Sequence, residues 1–516
     1  MFGVLRRVLL GLTLLAVSLA AFALAACGAD TASAPNQLAP AGAMLYGEVT
    51  IKPAGDQKAA LDELANKLPG DKSVDELIQE GLTKSFRKSD TNLSYEKDVK
   101  PWLGEQAAFF ATGQAKDGDL EGVAALIETT DEQAAKDAVD KGAKGKGKVV
   151  TYKDVEYRRI DSKSAAGVVD GYLVAGTERG FKAAVDVLKE DARPIGESDA
   201  YDKALQGVEE DRLGFLYLNT PKLFESVRGS LGSSAAAPFA KLFKEPYVVT
   251  GDADADGFEF TSTVPQGLAN LVLPIFGEGT DLINELPDDS WAALAQPNFG
   301  ETIDYYVDLF AAAAGGRETI EQQVRRASGL DLNRDVIGWM EDLGLFARGN
   351  SVKTITGAVI IETSDGAASD RALAALESQF RKEGDVRVGK LTAPGGGKGY
   401  TVTDSDLPQP VHIFRREGRV IVAYGDAAAR DAAKAAKPLG DAADFQAATG
   451  SLGDGYEPSA YIAMVPIVSL IESSGRASSD PDWAKAKPYL EAFGALVSGT
   501  RKDGDKLVQK VRLTVP

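Results

Sequence analysis

DVKPWLGEQAAFFATG at residues 98–113 returns as DVIGWMEDLGLFARG at residues 335–349, and this echo decides how the chain is read. Trp102 and Trp339 take the same place in it, each just ahead of an apolar run. Internal repeats come first because overlooking one misassigns the whole fold. Working outward, the order of blocks holds. VAALIETTDEQAAKDA (123–138) is answered by AVIIETSDGAASDRA (358–372), DGYLVAGTERGFKAA (170–184) by EGRVIVAYGDAAARDAA (417–433), and LFES (223–226) by LIES (470–473). Each copy closes on Thr-Val-Pro, at 263–265 and 514–516, and opens on LAPAGAMLYGE from Leu38 or LPDDSWAALAQ from Leu286. The implied organisation is a first unit at 38–265, a linker at 266–283 and a second unit at 284–516.

Within each unit the apolar period shifts between 2 and 3.6, the mark of strands mixed with helices. QAAFFATG and GVAALIET read as strands, and DEQAAKDAVDK as a short helix with Asp131 as its N-cap and Glu132 in the first turn. AGVVDGYLVAG reads as two strands about Asp170-Gly171, a dipeptide suited to a tight hairpin. A helix over 178–190 then leads to the strand GFLYL. Strands joined by short turns and interrupted by helices predict an α+β fold: two homologous tandem units, each a mainly antiparallel sheet with helices packed on one face.

Composition narrows the chemistry. The chain has 516 residues, 44% hydrophobic and 26% charged, which suits folded domains rather than disorder. Lys and Arg number 57 against 76 Asp and Glu, a net charge of −19 that would repel a phosphate backbone, so no nucleic-acid partner is expected. One Cys and one His cannot supply a Cys/His zinc site, an iron–sulfur cluster or a disulfide framework.

The single Cys has another use. Arg6 and Arg7 precede an uncharged stretch at 8–26 that ends Leu24-Ala25-Ala26-Cys27, the pattern of a lipoprotein signal at 1–26 with Cys27 as the acylated residue. The alternative is an uncleaved transmembrane anchor, since the apolar stretch nearly reaches spanning length. Either tethers the body outside the cytoplasm. Residues 27–37, small and polar with one Pro, form a flexible tether.

The opening LAPAGAMLYGEVTIKPAGDQKAALDEL, the block YEKDVKPWLGEQAAFF and the hairpin and helix after it resemble a domain-of-unknown-function family of predicted bacterial envelope lipoproteins, over nearly all of the mature chain. The resemblance implies a secreted, lipid-anchored α+β protein and carries no catalytic residues.

The remaining motifs are mostly structural. GAKGKGK at 142–148 mimics a phosphate-binding loop, but Val149 stands where Ser or Thr is needed, and the segment leaves a helix to open a strand. Ser85 and Lys88 have the Ser-x-x-Lys spacing of penicillin-interacting enzymes without their other motifs. His412, the one imidazole available as a general base, reads as a strand residue with a local hydrogen bond. Asp252, Asp254 and Asp256 copy the first half of a calcium loop, with Thr263 where its final Glu belongs, and read mainly as an acidic hairpin turn. Trp102 and Trp339 are assigned structural roles. The expected function is a non-enzymatic envelope lipoprotein with no cofactor. It would bind a protein or an apolar ligand, with the interface between units as one place for it, and sit on the outer face of the cytoplasmic membrane, or in the periplasm or outer membrane of a diderm. The alternative is an envelope hydrolase using Asp/Glu carboxylates or a metal they hold.

Overall fold

The computed structural model describes residues 34–516 except most of 71–92 and the segments 115–118, 162–163, 232–239, 241–242, 266–276, 312–313, 383–385, 476–480 and 505. Cys27, Ser85, Lys88 and most of the expected linker lie outside the described residues. The chain divides into two compact units, Met1–Ser262 and Thr263–Pro516.

Beside a short two-stranded ribbon of Gly113–Gln114 and Leu120–Glu121, the first unit's main sheet has β1 (Leu45–Thr50), β2 (Leu103–Ala111), β3 (Ala124–Thr129), β4 (Lys148–Tyr152), β5 (Val155–Arg159), β6 (Ala165–Val169), β7 (Tyr172–Gly176), β8 (Gly214–Leu218), β9 (Tyr247–Asp254) and β10 (Gly257–Pro265), the last of which runs across the unit boundary. They pair antiparallel in the order β10-β9-β8-β1-β2-β3-β7-β6-β5-β4. The β6–β7 turn places Asp170 at φ 47° and Gly171 at φ 78°, the left-handed pair that a two-residue hairpin needs to match strand twist.

The second unit has β11 (Ser290–Gln296), β12 (Met340–Arg348), β13 (Thr356–Thr363), β14 (Arg387–Lys390), β15 (Lys398–Thr403), β16 (Val411–Arg416), β17 (Arg419–Tyr424), β18 (Glu457–Ala463), β19 (Ala495–Asp503) and β20 (Lys506–Thr514). Their order is β20-β19-β18-β11-β12-β13-β17-β16-β15-β14, again antiparallel throughout. Each strand thus takes the sheet position of the strand numbered ten lower in the first unit.

The helices do not keep to one face, and here the sequence-based expectation is corrected. In the first unit α1 (Glu132–Gly142) packs Ala135 and Ala138 with Trp102, Val168 and Leu173 on one side of the sheet. On the other side, α2 (Glu178–Leu188) and α3 (Asp199–Leu205) bring Phe181, Val185 and Tyr201 onto Tyr46, Phe110, Tyr172 and Val174. Successive strand residues point to opposite faces, so Leu173 and its neighbours Tyr172 and Val174 enter different cores. All five residues of β6, AAGVV, are buried. A strand apolar on both faces needs cover on both, and each buried Phe or Leu contributes about 1.5–3 kcal/mol towards that arrangement.

The second unit repeats the arrangement. Ala368 and Leu373 of α5 (Gly366–Phe380) pack with Trp339 and Ile413. Opposite them, α4 (Leu282–Glu285), α6 (Asp426–Ala433) and α7 (Ala443–Gly450) cover Phe346, Ile360 and Phe414. Asp131 and Asp365 cap α1 and α5 alike, each accepting from the amides two and three residues on. Leu282 and Ile283, at the end of the stretch read as a linker, are buried in the second unit's core, because a Leu-Ile pair has too much apolar surface to leave in water.

Candidate functional site: an aromatic cleft in the second unit

The tryptophans of the two echoed blocks are anchored through the same kind of bond. Trp102 Nε1 donates to the Asp98 carbonyl at 2.6 Å, and Trp339 Nε1 to the Asp335 carbonyl at 3.1 Å; both residues are 3% exposed. The Asp side chains brace the turns above them. Asp98 accepts from Lys141 at 2.6 Å and from the Ser94 amide, and the lysine bond holds its carboxyl below the usual range. Asp335 accepts from Arg334, from the Asp331 amide and from Arg371, which together hold it well below that range. These indoles have no free polar edge to offer a ligand.

His412 lies on β16 with no exposed surface. Its Nδ1 is 3.0 Å from Thr401 Oγ1 on the neighbouring strand, and its Nε2 is 2.8 Å from Asp426 Oδ1 in the first turn of α6. Hydroxyl, imidazole and carboxylate therefore stand in line, as they would in a nucleophilic triad. Thr401 Oγ1 is also taken up by the Thr392 amide at 3.0 Å and is itself buried, so no substrate carbonyl can reach it. The chain ties strand to helix; it is not an exposed nucleophile.

Asp252, Asp254 and Asp256 do not gather into a calcium loop. Asp252 and Asp254 sit in β9, roughly 7 Å apart along an extended strand, and Asp256 occupies the turn, its amide donating to Asp254. A rigid hairpin cannot bring them together on one cation, whose ligands must lie about 2.3–2.6 Å away. Among the described residues, no group of three or more His, Cys, Asp or Glu could hold a metal ion.

Burial, with the charge of the cross-strand neighbour Glu259 adding to it, pushes Asp252 up to about 6. A raised carboxyl holds its proton in the folded state over a range where the unfolded chain has lost it, so ionisation destabilises above about pH 6 and ceases to matter below about pH 4. Asp252→Asn is expected to stabilise the protein by about 1 kcal/mol at pH 8, a figure discounted for partial exposure, and to be neutral near pH 3.5. Thermal melts at both values check it; equal effects at the two would contradict the assignment.

Two clefts differ in how far their polar groups are satisfied. The larger, about 600 Å³ in the first unit, is lined by Tyr152, Glu178, Arg179, Lys182 and Asp186. Its charges answer one another. Tyr152 donates to Asp186, Lys182 pairs with Glu178 at 2.8 Å, and Arg179 with Glu121 at 2.7 Å.

The smaller cleft, about 280 Å³ in the second unit, is different. Its wall begins where β11 opens, and there the ladder slips: Ser290 faces Arg348 while Ala292 faces Ala347, leaving Trp291 as the extra residue of a bulge. Bulges re-aim side chains, and Trp291 lines the cleft. Arg348, buried, bridges Asp289 at 3.0 Å and Asp431 at 2.8 Å, which fixes one side of the rim. The first turn of α7 supplies Asp444 and Phe445, and β18 supplies Tyr461, whose ring meets Phe445 edge-on at 5.3 Å. Burial, then the charge of Asp444, raises the Tyr461 hydroxyl above its ordinary pKa. Ser290, 5% exposed, and Trp291 both line this cleft, and neither the Ser290 Oγ nor the Trp291 Nε1 has a hydrogen-bond partner.

The corresponding strand opening in the first unit is packed differently. Pro40 bridges to Pro194 there, as Pro287 does to Pro438 in the second unit. Where β1 sets Tyr46 opposite Tyr217, β11 sets Ala293 opposite Tyr461. Tyr46 packs its ring on Tyr201 at 5.8 Å and Phe215 at 6.0 Å. Ala293 has the register position in the second unit that Tyr46 has in the first. Sequence reasoning quoted Trp291 within LPDDSWAALAQ and assigned it nothing, because no pattern in the string marks an indole N–H as unpartnered.

None of the curated proteins compared with the chain matches it. Among solved structures, crystal form I of TP0453 is similar at 10% identity over 48% of this chain and 83% of that one, with a TM-score of 0.27. Crystal form IV of TP0453 is similar at 9% identity over 46% and 82%, with a TM-score of 0.25. Overlap that slight supports no statement about fold or function. The family described as "Protein of unknown function (DUF3352)" matches residues 8–496, a span that runs through both units, and the chain belongs to that family.

Proposed function

We propose that this protein is a lipid-anchored, extracytoplasmic binding protein built from two homologous α+β units, with no catalytic chemistry of its own, and that its ligand sits in the cleft of the second unit. The observation that carries this reading is the cleft itself, about 280 Å³, where the β11 bulge sets Trp291 in a wall shared with Phe445 and Tyr461. The coincidence of strand order in the two sheets supports descent from one duplicated unit. The signal at 1–26 with Cys27 supports the membrane anchor, on the outer face of the cytoplasmic membrane or, in a diderm, in the periplasm or outer membrane. The acidic body, repelled by anionic lipid, would be held off the surface on the tether that precedes the helical turn Pro35–Gln37, where Pro35 is already buried.

The test is complementation of a deletion strain that has a phenotype, with protein levels matched. Trp291→Ala is expected to lose the function and His412→Ala to keep it, since His412 serves packing. If His412→Ala alone abolishes complementation while the protein stays folded and lipidated, the non-enzymatic reading falls.

A further inference from the structure

We propose that the open edge of the first unit's sheet, strand β4, pairs antiparallel with β4 of a second copy of this chain, about a two-fold axis at Val150. The pairing is independent of the cleft and uses the stretch KGKVVTYKD at residues 146–154.

The turn fixes which backbone groups are free. Lys153 and Asp154, at φ 48° and 64°, are the left-handed pair of a two-residue hairpin that joins β4 to β5. Tyr152 and Val155 flank that turn and exchange hydrogen bonds. The alternation of an antiparallel ladder then bonds Val150 and Lys148 to β5 and turns the N–H and C=O groups of Val149 and Thr151 outward. β4 ends the sheet, and among the described residues nothing takes up those outward groups. The Val149 side chain on this edge is 57% exposed. The second unit's matching edge strand, β14, is blunted, because Arg381 donates to the Val388 carbonyl at 3.0 Å.

The edge is complementary to itself. Pairing about Val150 sets Val149 opposite Thr151 of the second copy and Thr151 opposite its Val149, so all the outward groups of both copies are used. Lys148 falls opposite the Tyr152 ring, and the exposed Lys146 falls opposite the exposed Asp154. Neither Lys146 nor Asp154 takes part in an ion pair among the described residues, and Arg158 donates to the Lys146 carbonyl at 3.3 Å, which steadies the loop. Sliding two residues either way sets Val149 against the turn residue Lys153, or Thr151 against Gly147, whose φ of 78° is not that of a strand. The net charge of −19 on each copy opposes association at long range, but physiological salt screens it beyond about 8 Å, and the contact itself carries both signs. A two-fold pairing consumes both open edges, so growth stops at the dimer.

The full chain in detergent is expected to sediment as a dimer at about 0.1 mM and to dissociate on dilution, as interfaces below about 1,200 Å² do. Lipid-anchored copies can share a micelle, so variants of the edge decide the matter. Thr151→Pro removes an outward N–H and no bond within the chain; it should keep the melting temperature and weaken the dimer about tenfold or more. Lys146→Glu, which sets like charges opposite, should weaken it about fivefold. Val150→Cys places two thiols across a pair that exchanges no hydrogen bonds, with about 4.5 Å between Cα atoms, and should cross-link the copies on mild oxidation. Glu156→Cys, exposed on β5 one strand in from the edge, should not, nor should the wild type with its own Cys27. A monomeric wild type at that concentration overturns the proposal. So does a dimer undiminished by Thr151→Pro or Lys146→Glu, or cross-linking of Val150→Cys no faster than that of Glu156→Cys.

Discussion

Trp339→Ala is expected to lower the stability of the second unit by roughly 3 to 5 kcal/mol, and Trp102→Ala to do the same to the first. Each indole is enclosed by a helix on one side and strands on the other, with Ala368, Leu373 and Ile413 around Trp339 and Ala135, Val168 and Leu173 around Trp102. Truncation leaves a cavity that close-packed neighbours cannot fill. It also removes the donor to the Asp335 or Asp98 carbonyl. Urea unfolding followed by far-UV dichroism measures the effect. A loss below about 1 kcal/mol in either variant would mean the site collapses around the deletion, and the anchoring role would fail.

Cys27→Ser is expected to have an all-or-none effect on where the protein resides. An acyl chain contributes about 0.8 kcal/mol per buried CH₂, and the acidic body has no comparable attraction to lipid. Among the described residues, no helix is long and apolar enough to cross a membrane. The variant should accumulate as the unprocessed precursor without acylation. Normal processing and detergent partitioning of Cys27→Ser would overturn the anchor. An unprocessed wild type held by residues 8–26 would favour the uncleaved apolar segment instead.

Several local features are legible in the residues alone because they are decided within a few positions. Asp170-Gly171 between two apolar runs forms a tight turn because only left-handed backbone joins two twisted strands in two residues. Asp131 ahead of EQAAKDAVDK caps a helix because its short carboxylate reaches the first free amides. The echo of 98–113 in 335–349 needs no folding argument. Other features depend on residues far apart in the chain. β1 enters the sheet between β2 and β8, pairings that connect residue 45 to residues 111 and 218, and no turn signal encodes them. Which faces of the sheet helices cover follows from both faces of β6 and β7 being apolar, and a continuous apolar run hides that alternation. The cleft has the same character. Asp288 and Trp291 meet Asp444, Phe445 and Tyr461 only after β11 and β18 pair. Such neighbours are visible only once the strands have paired, so periodicity located the strands, and tertiary packing alone decided which side chains line the cleft.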